Sequence, residues 1–185
     1  MKYWGTIMNK IKDISSYSFL KEESFFLDAN IWLSVYGPMA YPRKRTSIYA
    51  NALCNIRKTN CFIFIDVLIL SEFINTYARW EHKQSSLRTK RFKDFRKNKA
   101  FIPVAEDIAV NAKRITKQCQ CCDSNFTSID IEALLTEFEK GNSDFNDQVF
   151  SETCKAKKLI LVTDDSDFKD SELTILTANG HLLQA

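Results

Sequence analysis

The sequence predicts an α/β protein, with a mainly parallel central sheet covered by helices on both faces. Three observations lead there. Short apolar runs at residues 24–27, 61–65 and 159–163 are rich in β-branched and aromatic residues and read as buried strands. Stretches with apolar residues at helical spacing separate them. Strands that alternate with helices build a parallel sheet whose crossovers lie over both faces.

In chain order, residues 1–23 read as a lead-in with one short helix. The first run, Ser24-Phe25-Phe26-Leu27, ends in Asp28 and reads as a strand with that acid at its carboxyl end. Residues 29–36 continue as a short helix that Gly37-Pro38 stops. Ile48, Leu53 and Ile56 mark a second helix reaching Lys58. Residues 61–65 form the next strand, and Asp66 caps a helix running from Val67 to about Trp80. Leu70, Phe73, Ile74 and Tyr77 give that helix an apolar stripe; Glu72, Asn75, Thr76 and Arg79 give it a polar one. Ile108, Ala112, Ile115 and Cys119 mark another helix, started by Glu106 or Asp107. Ile131, Leu134, Leu135 and Phe138 mark the next, capped by Ser128 or Asp130 and ended by Gly141. Asn146 then reads as the N-cap of a helix carrying Val149, Phe150, Thr153 and Cys154, which leads into the strand at 159–163. A last short strand at 173–176 is expected at the sheet edge.

A chain of 185 residues suits one domain with an ample core. Four Gly and three Pro leave little room for flexible linkers. No apolar run is long enough to span a bilayer, and no apolar signal segment follows Lys2, so a cytoplasmic protein is expected. Cys54, Cys61, Cys119, Cys121, Cys122 and Cys154 show no disulfide framework. Cys119 and Cys122 form a C-x-x-C, but no second pair accompanies it, and reduced, partly buried thiols are favoured over a zinc site.

The net charge of +3 is unevenly spread. Residues 79–99 hold nine of the 26 Lys/Arg and two of the 23 Asp/Glu, so the remainder is slightly acidic. The segment also holds Trp80, Phe92 and Phe95. Basic residues interleaved with aromatics suit a polyanion, nucleic acid first among them. Arg79, Arg88, Lys90, Arg91, Lys93, Arg96 and Lys97 are the candidate contacts. A solvated helix anchored by Phe92 and Phe95 is compatible with this.

The acids carry the chemistry. In parallel sheets ligands bind outside the carboxyl ends of the strands. Asp28 and Asp165 stand at such ends, Asp147 at a helix start, and Glu72 on a polar helix face that can turn to the same crevice. Asp147 lies in line with Phe150 and Cys154, where a carboxylate is costly unless compensated. Four converging carboxylates repel one another and raise their own pKa values. A divalent cation compensates them, and an all-oxygen site completed by water suits Mg²⁺ or Mn²⁺.

At these residues the chain resembles the PIN-domain nucleases. The matching stretches are Leu27-Asp28-Ala29-Asn30, Ser71-Glu72-Phe73-Ile74-Asn75, Asn146-Asp147-Gln148-Val149 and Val162-Thr163-Asp164-Asp165-Ser166-Asp167-Phe168. The resemblance implies a PIN-like three-layer α/β/α sandwich and a Mg²⁺-dependent ribonuclease, often the toxin of a toxin–antitoxin pair, and often a homodimer. It implies that Asp28, Glu72, Asp147 and Asp165 are catalytic and bind metal. Thr163 then orients water or metal, with Asp144 and Asp167 as secondary acids. RNA is the implied substrate and an antitoxin the implied partner. Residues 1–24 and about 83–104 read as an extension and a basic insert on this single domain. The competing readings are a nuclease-like module that only binds RNA or protein, and a receiver-like domain. The latter needs an acid pair after the first strand, which Asp28 lacks.

Overall fold

The computed structural model describes residues 10–38, 43–87, 91–124, 126–141 and 143–184. Among them are strands β1 (Ile11–Asp13), β2 (Ser24–Leu27), β3 (Phe62–Ile65), β4 (Gln120–Cys121), β5 (Ile160–Val162) and β6 (Ile175–Thr177). The helices are α1 (Ala29–Tyr36), α2 (Arg43–Lys58), α3 (Val67–Gln84), α4 (Phe92–Lys97), α5 (Phe101–Thr116), α6 (Ile131–Glu139), α7 (Phe145–Lys157) and α8 (Gly180–Leu183). The strands form one sheet, ordered β1-β6-β5-β2-β3-β4, and every pairing is parallel.

The sheet is covered on both faces. Consecutive residues of a strand point to opposite sides, and Phe25 and Phe26 in β2 are both fully buried. Phe26 meets Phe150 of α7, with ring centroids 5.8 Å apart, while Phe25 meets Phe19 at 5.6 Å. Layers of this kind give an α/β/α sandwich, as expected. The order of strands sets the site. From β2 the chain builds outward to β3 and β4, then returns to place β5 on the other side of β2. The reversal leaves a crevice between the carboxyl ends of β2 and β5, the usual ligand position in open parallel sheets.

Several expectations are corrected. The described part of the lead-in contains the strand β1, which pairs with β6, and no helix; residues 1–9, where the rest of that expectation falls, lie outside the described residues. Three residues are too few for a periodic signal. The last strand is therefore flanked by β1 and β5 and does not form the edge. The helix expected to start at Glu106 or Asp107 starts at Phe101 instead. Pro103 sits in its first turn, where a missing N–H is harmless. The cap of α7 is Asp144, whose side chain accepts from the N–H of Asn146 at 2.8 Å; Asn146 is the second helical residue. Helix α3 runs on to Gln84 and buries Ile69, Phe73 and Tyr77, leaving Ile74 exposed. The two-residue strand β4 was not foreseen.

Other readings hold. Asp66 caps α3, its Oδ1 accepting from the Ile69 N–H at 2.9 Å. Asp130 caps α6. At Gly37 a Cβ would stand 2.5 Å from the Leu33 carbonyl oxygen, so only glycine lets the chain leave α1 there. The six cysteines are free thiols. Among the described residues no helix is long and apolar enough to cross a membrane.

Burial predicts which apolar residues hold the fold. Phe150→Ala should lower stability by about 3–5 kcal/mol, because it empties a site packed against Phe26. Leu135→Ala, at a position 47% exposed, should change it by less than about 0.5 kcal/mol. Urea unfolding of the two variants compares them directly; equal losses would contradict this packing.

Candidate active site

The crevice is built around Asp28, which follows the last residue of β2. Leu27 is in register with Val162, and the Asp28 N–H donates to the Val162 carbonyl at 3.0 Å, which places Asp28 beside the end of β5. Its carboxylate is 5% exposed. Thr163 Oγ1 donates to Asp28 Oδ2 at 2.7 Å, and Asn30 Nδ2 donates to the same atom at 2.6 Å. Asn30 Nδ2 also reaches Thr163 Oγ1 at 3.2 Å. Burial still pushes the Asp28 carboxyl up to about 6, against the pull of these hydrogen bonds, and the charge of Asp165 adds to the rise.

The other acids arrive from separate elements. Glu72 lies in the second turn of α3 and Asp147 in the first turn of α7. Both are half-buried. The Glu72 carboxyl is pushed up to about 7, first by burial and then by the charges of Asp28, Asp144 and Asp165. Asp147 is also raised to about 7, by burial and then by Asp28, Asp165, Asp144 and Glu72. The like charges of Asp28, Glu72, Asp144, Asp147 and Asp165 thus act on one another, which means they share a single region.

The turn after β5 sorts three neighbouring acids. Asp165 caps a short 3₁₀ turn, Ser166–Asp170, by accepting from the Asp167 N–H at 3.0 Å, and its own N–H donates to Thr163 Oγ1 at 3.0 Å. Asp164 faces away. Arg45 Nη1 donates to its Oδ2 at 2.8 Å and the Tyr49 hydroxyl to its Oδ1 at 2.6 Å. Its N–H donates to Asn30 Oδ1 at 3.2 Å, and its carbonyl accepts from Asn179 Nδ2 at 2.7 Å. Asp164 is therefore a fastener that pins the turn to α1, α2 and the start of α8. Asp167 is exposed. With Asp147, Ser151, Lys155 and Lys169 it lines a cleft of about 640 Å³ beside the acid cluster.

Asn30, Arg45, Tyr49 and Asn179 escaped the sequence reading. Asn30 left a signal: it is the one polar residue in the run Ala29-Asn30-Ile31-Trp32-Leu33. The partners of Asp164 come from distant segments and left none.

The donor set is all carboxylate oxygen, with buried like charges and no cation paired to Asp28, Glu72, Asp147 or Asp165 among the described residues. Such a set fits a hard divalent ion. Among the described residues no three His, Cys, Asp or Glu side chains enclose one point.

On the basic segment, Arg79 and Arg96 lie over the ring of Phe92, with guanidinium carbons 5.2 and 5.6 Å from its centroid. Arg91 is paired with Asp94 at 2.8 Å, and Lys93 and Lys97 are exposed. Arg88 and Lys90 lie outside the described residues. Phe95 is buried against His82 and Phe101, so it is a core anchor.

The raised carboxyls fix a sign for the pH dependence of stability without metal. Asp147 moves from 3.8 to about 7 on folding, so between those values the folded state binds more protons than the unfolded state. Its stabilising contribution is complete below about pH 4 and is lost as pH rises through about 7. Wild type in chelator should therefore melt at progressively lower temperature over that window. Asp147→Asn should decline less steeply and be the more stable protein at pH 8. Parallel melting curves would remove Asp147 from the cluster.

Comparison with known proteins gives the family and the fold. The family model described as PIN domain matches residues 25–172. A crystal structure of VapBC2 from Rickettsia felis, bound to a DNA fragment from their promoter, is similar over 83% of this chain and 98% of that one, with a TM-score of 0.54 and 18% identity. PAE2754 from Pyrobaculum aerophilum is similar over 88% of this chain and 94% of that one, with a TM-score of 0.50 and 12% identity. Likeness at such identities is a likeness of fold. Among curated proteins none matches the sequence.

Proposed function

The chain belongs to the PIN domain family, and from that premise we propose that it is a divalent-metal-dependent endoribonuclease hydrolysing RNA phosphodiester bonds. The observation that carries the proposal is the set of acids at the carboxyl ends of β2 and β5: burial and the charges of Asp28 and Asp165 raise the carboxyls of Glu72 and Asp147, and Asp165 raises that of Asp28. Groups shifted by burial together with specific charged partners mark functional sites.

Asp28, Glu72, Asp147 and Asp165 would hold Mg²⁺ or Mn²⁺, with Asp144 at the rim. A bound ion of this kind lowers the pKa of water and neutralises charge developing on a phosphate. The protein supplies alignment. Thr163 and Asn30 hold Asp28 in one orientation. Thr163 also holds the backbone of Asp165, and Asp164 fastens the turn from behind. A carboxylate of Glu72 or Asp147 left free of the ion would serve as the base that takes a proton from water, since burial and like charges raise it toward neutral pH, where a base works best. The exposed cations Arg79, Lys93, Arg96 and Lys97, with Arg91, are proposed to draw in the strand. The cytoplasm is the proposed compartment, and the toxin–antitoxin members of the family make an antitoxin the partner to seek. Homodimers belong to the same proposal, with residues 1–24 and about 83–104 as additions to one domain.

Purified protein should cleave RNA with Mg²⁺ or Mn²⁺ and stop with chelator. Asp28→Asn and Asp147→Asn should each reduce the rate by at least about a hundredfold, the scale of losing a preorganised electrostatic group, with the fold retained by circular dichroism. Expression of wild type should arrest growth of a bacterial host if the protein is a toxin, and Asp147→Asn should not. Undiminished cleavage by both variants would reject the site; metal-independent RNA binding with no cleavage would leave a binding module.

A further inference from the structure

The cluster around Phe92 has a property that stability does not require. Arg79 comes from α3 and Arg96 from α4, yet both guanidinium groups share one ring, at 5.2 and 5.6 Å. Both arginines are exposed. Among the described residues neither is paired with a carboxylate, although Arg91 beside them is. Two like charges gathered on one ring with no acid between them favour an incoming anion. Stacking occupies the flat face of a guanidinium and leaves its edge N–H groups free to bind phosphate in a fork. The ring itself is firmly held. Phe92 lies 6.5 Å from Phe95, which is 2% exposed and stacks on His82 at 5.1 Å. The side-chain ordering that phosphate binding needs is thus made in advance.

The position is equally specific. Arg79 follows Glu72 by seven residues on α3, which is 20° short of two turns. The two side chains therefore leave the same face of one helix, about 10 Å apart along its axis. A helix is a rigid spacer, so the separation is constant.

We infer that Arg79, Phe92 and Arg96 form a phosphate clamp that grips a single-stranded nucleic acid at a fixed distance from the acid cluster. At about 3.4 Å per nucleotide along a stacked strand, the gripped phosphate lies roughly three nucleotides from the one at the acids. Phe92 is the platform of the clamp and does not stack on bases. The clamp recognises phosphodiester and reads no sequence. It rests on the nuclease reading only for the identity of the group at the acids.

The test is binding of labelled oligoribonucleotides of two to ten residues to Asp147→Asn in Mg²⁺, with chelator as the comparison in which the bare carboxylates offer phosphate no anchor. Affinity should rise in a step once an oligomer is long enough to span from the acids to the clamp. Arg79→Gln with Arg96→Gln should remove the step, each change weakening long oligomers about tenfold. Both changes are on the surface and should leave the melting temperature in place. The log–log salt dependence should become shallower by about 0.7 for each lost contact. Phe92→Leu should weaken long oligomers with both charges still present, a loss that simple charge attraction does not explain. Oligodeoxyribonucleotides run in parallel separate the sources: a step with both polymers assigns the clamp to phosphate alone, and a step with RNA only adds a 2′-hydroxyl contact. A smooth rise of affinity with length, or an unchanged step in the double variant, overturns the clamp. If the step is present and depends on the arginines while no metal supports cleavage, the clamp stands and the nuclease reading fails.

Discussion

A carboxylate buried to 5% exposure at the junction of β2 and β5 governs the rest of this structure. Removing such a group from water is expensive unless hydrogen bonds replace its hydration. Asp28 obtains them from Thr163, at the end of β5, and from Asn30, in the first turn of α1. These bonds tie the two central strands to each other and to the helix that leaves the first of them. The compensation is incomplete. Burial outweighs the hydrogen bonds, and Asp165 adds a like charge. The edge of the sheet is thus organised around a group that the protein holds in place without fully stabilising, as expected where a cation is meant to finish the work.

The turn after β5 shows how one sequence of acids acquires opposite tasks. Successive residues in extended backbone face opposite ways. Thr163 and Asp165 therefore share one side, where the threonine hydroxyl accepts from the Asp165 N–H and donates to Asp28. Asp164 is turned to the other side, toward Arg45 and Tyr49. Thr163 and Asp164 thus hold Asp165 from the front and from behind. An ion pair that is 38% exposed on the Arg45 side adds little stability by itself. Its value lies in fixing direction.

The legible part of this protein follows from local rules. Phe25 and Phe26 announce a buried strand, Asp28 ends it, and Asp66 and Asp130 cap helices because short acids suit that position. The convergence of Asp28, Glu72, Asp147 and Asp165 could be expected because Asp28 and Asp165 stand at strand ends, Asp147 at a helix start and Glu72 on the polar face of α3. What the sequence hid was of two kinds. Strands β1 and β4 are two or three residues long and exist only through their neighbours, so no periodicity marks them. Arg45 and Tyr49, which hold the Asp164 side chain, lie more than a hundred residues away in the chain, and distance of that kind leaves no local trace. Asp107 resembles a cap but lies inside α5, whose start at Phe101 precedes a proline that the first turn tolerates. The question left open for Phe92 and Phe95 needed the fold, since burial separates an anchor from a platform.

The placement of positive charge completes the logic. On the proposed function, a site that binds a polyanion with carboxylates must attract its ligand with cations kept elsewhere, away from the place of the ion. A lysine or arginine within ion-pair distance of Glu72 or Asp147 would lower their pKa values and stabilise the cluster. It would also occupy the place of the ion. Arg45 is taken up by Asp164 on the far side of the turn, and in the cleft beside Asp147 Lys155 is paired with Glu152 while Lys169 is exposed. Helix α3 separates the remaining charge instead. Glu72 stands near its start and Arg79 two turns on, along one face, with Thr76 between them. At about 10 Å the two are roughly a Debye length apart at physiological salt. Their mutual attraction is then largely screened, yet both remain in reach of one strand of nucleic acid. That spacing lets the cluster stay acidic and the helix stay attractive to phosphate at once, a combination that direct pairing would destroy.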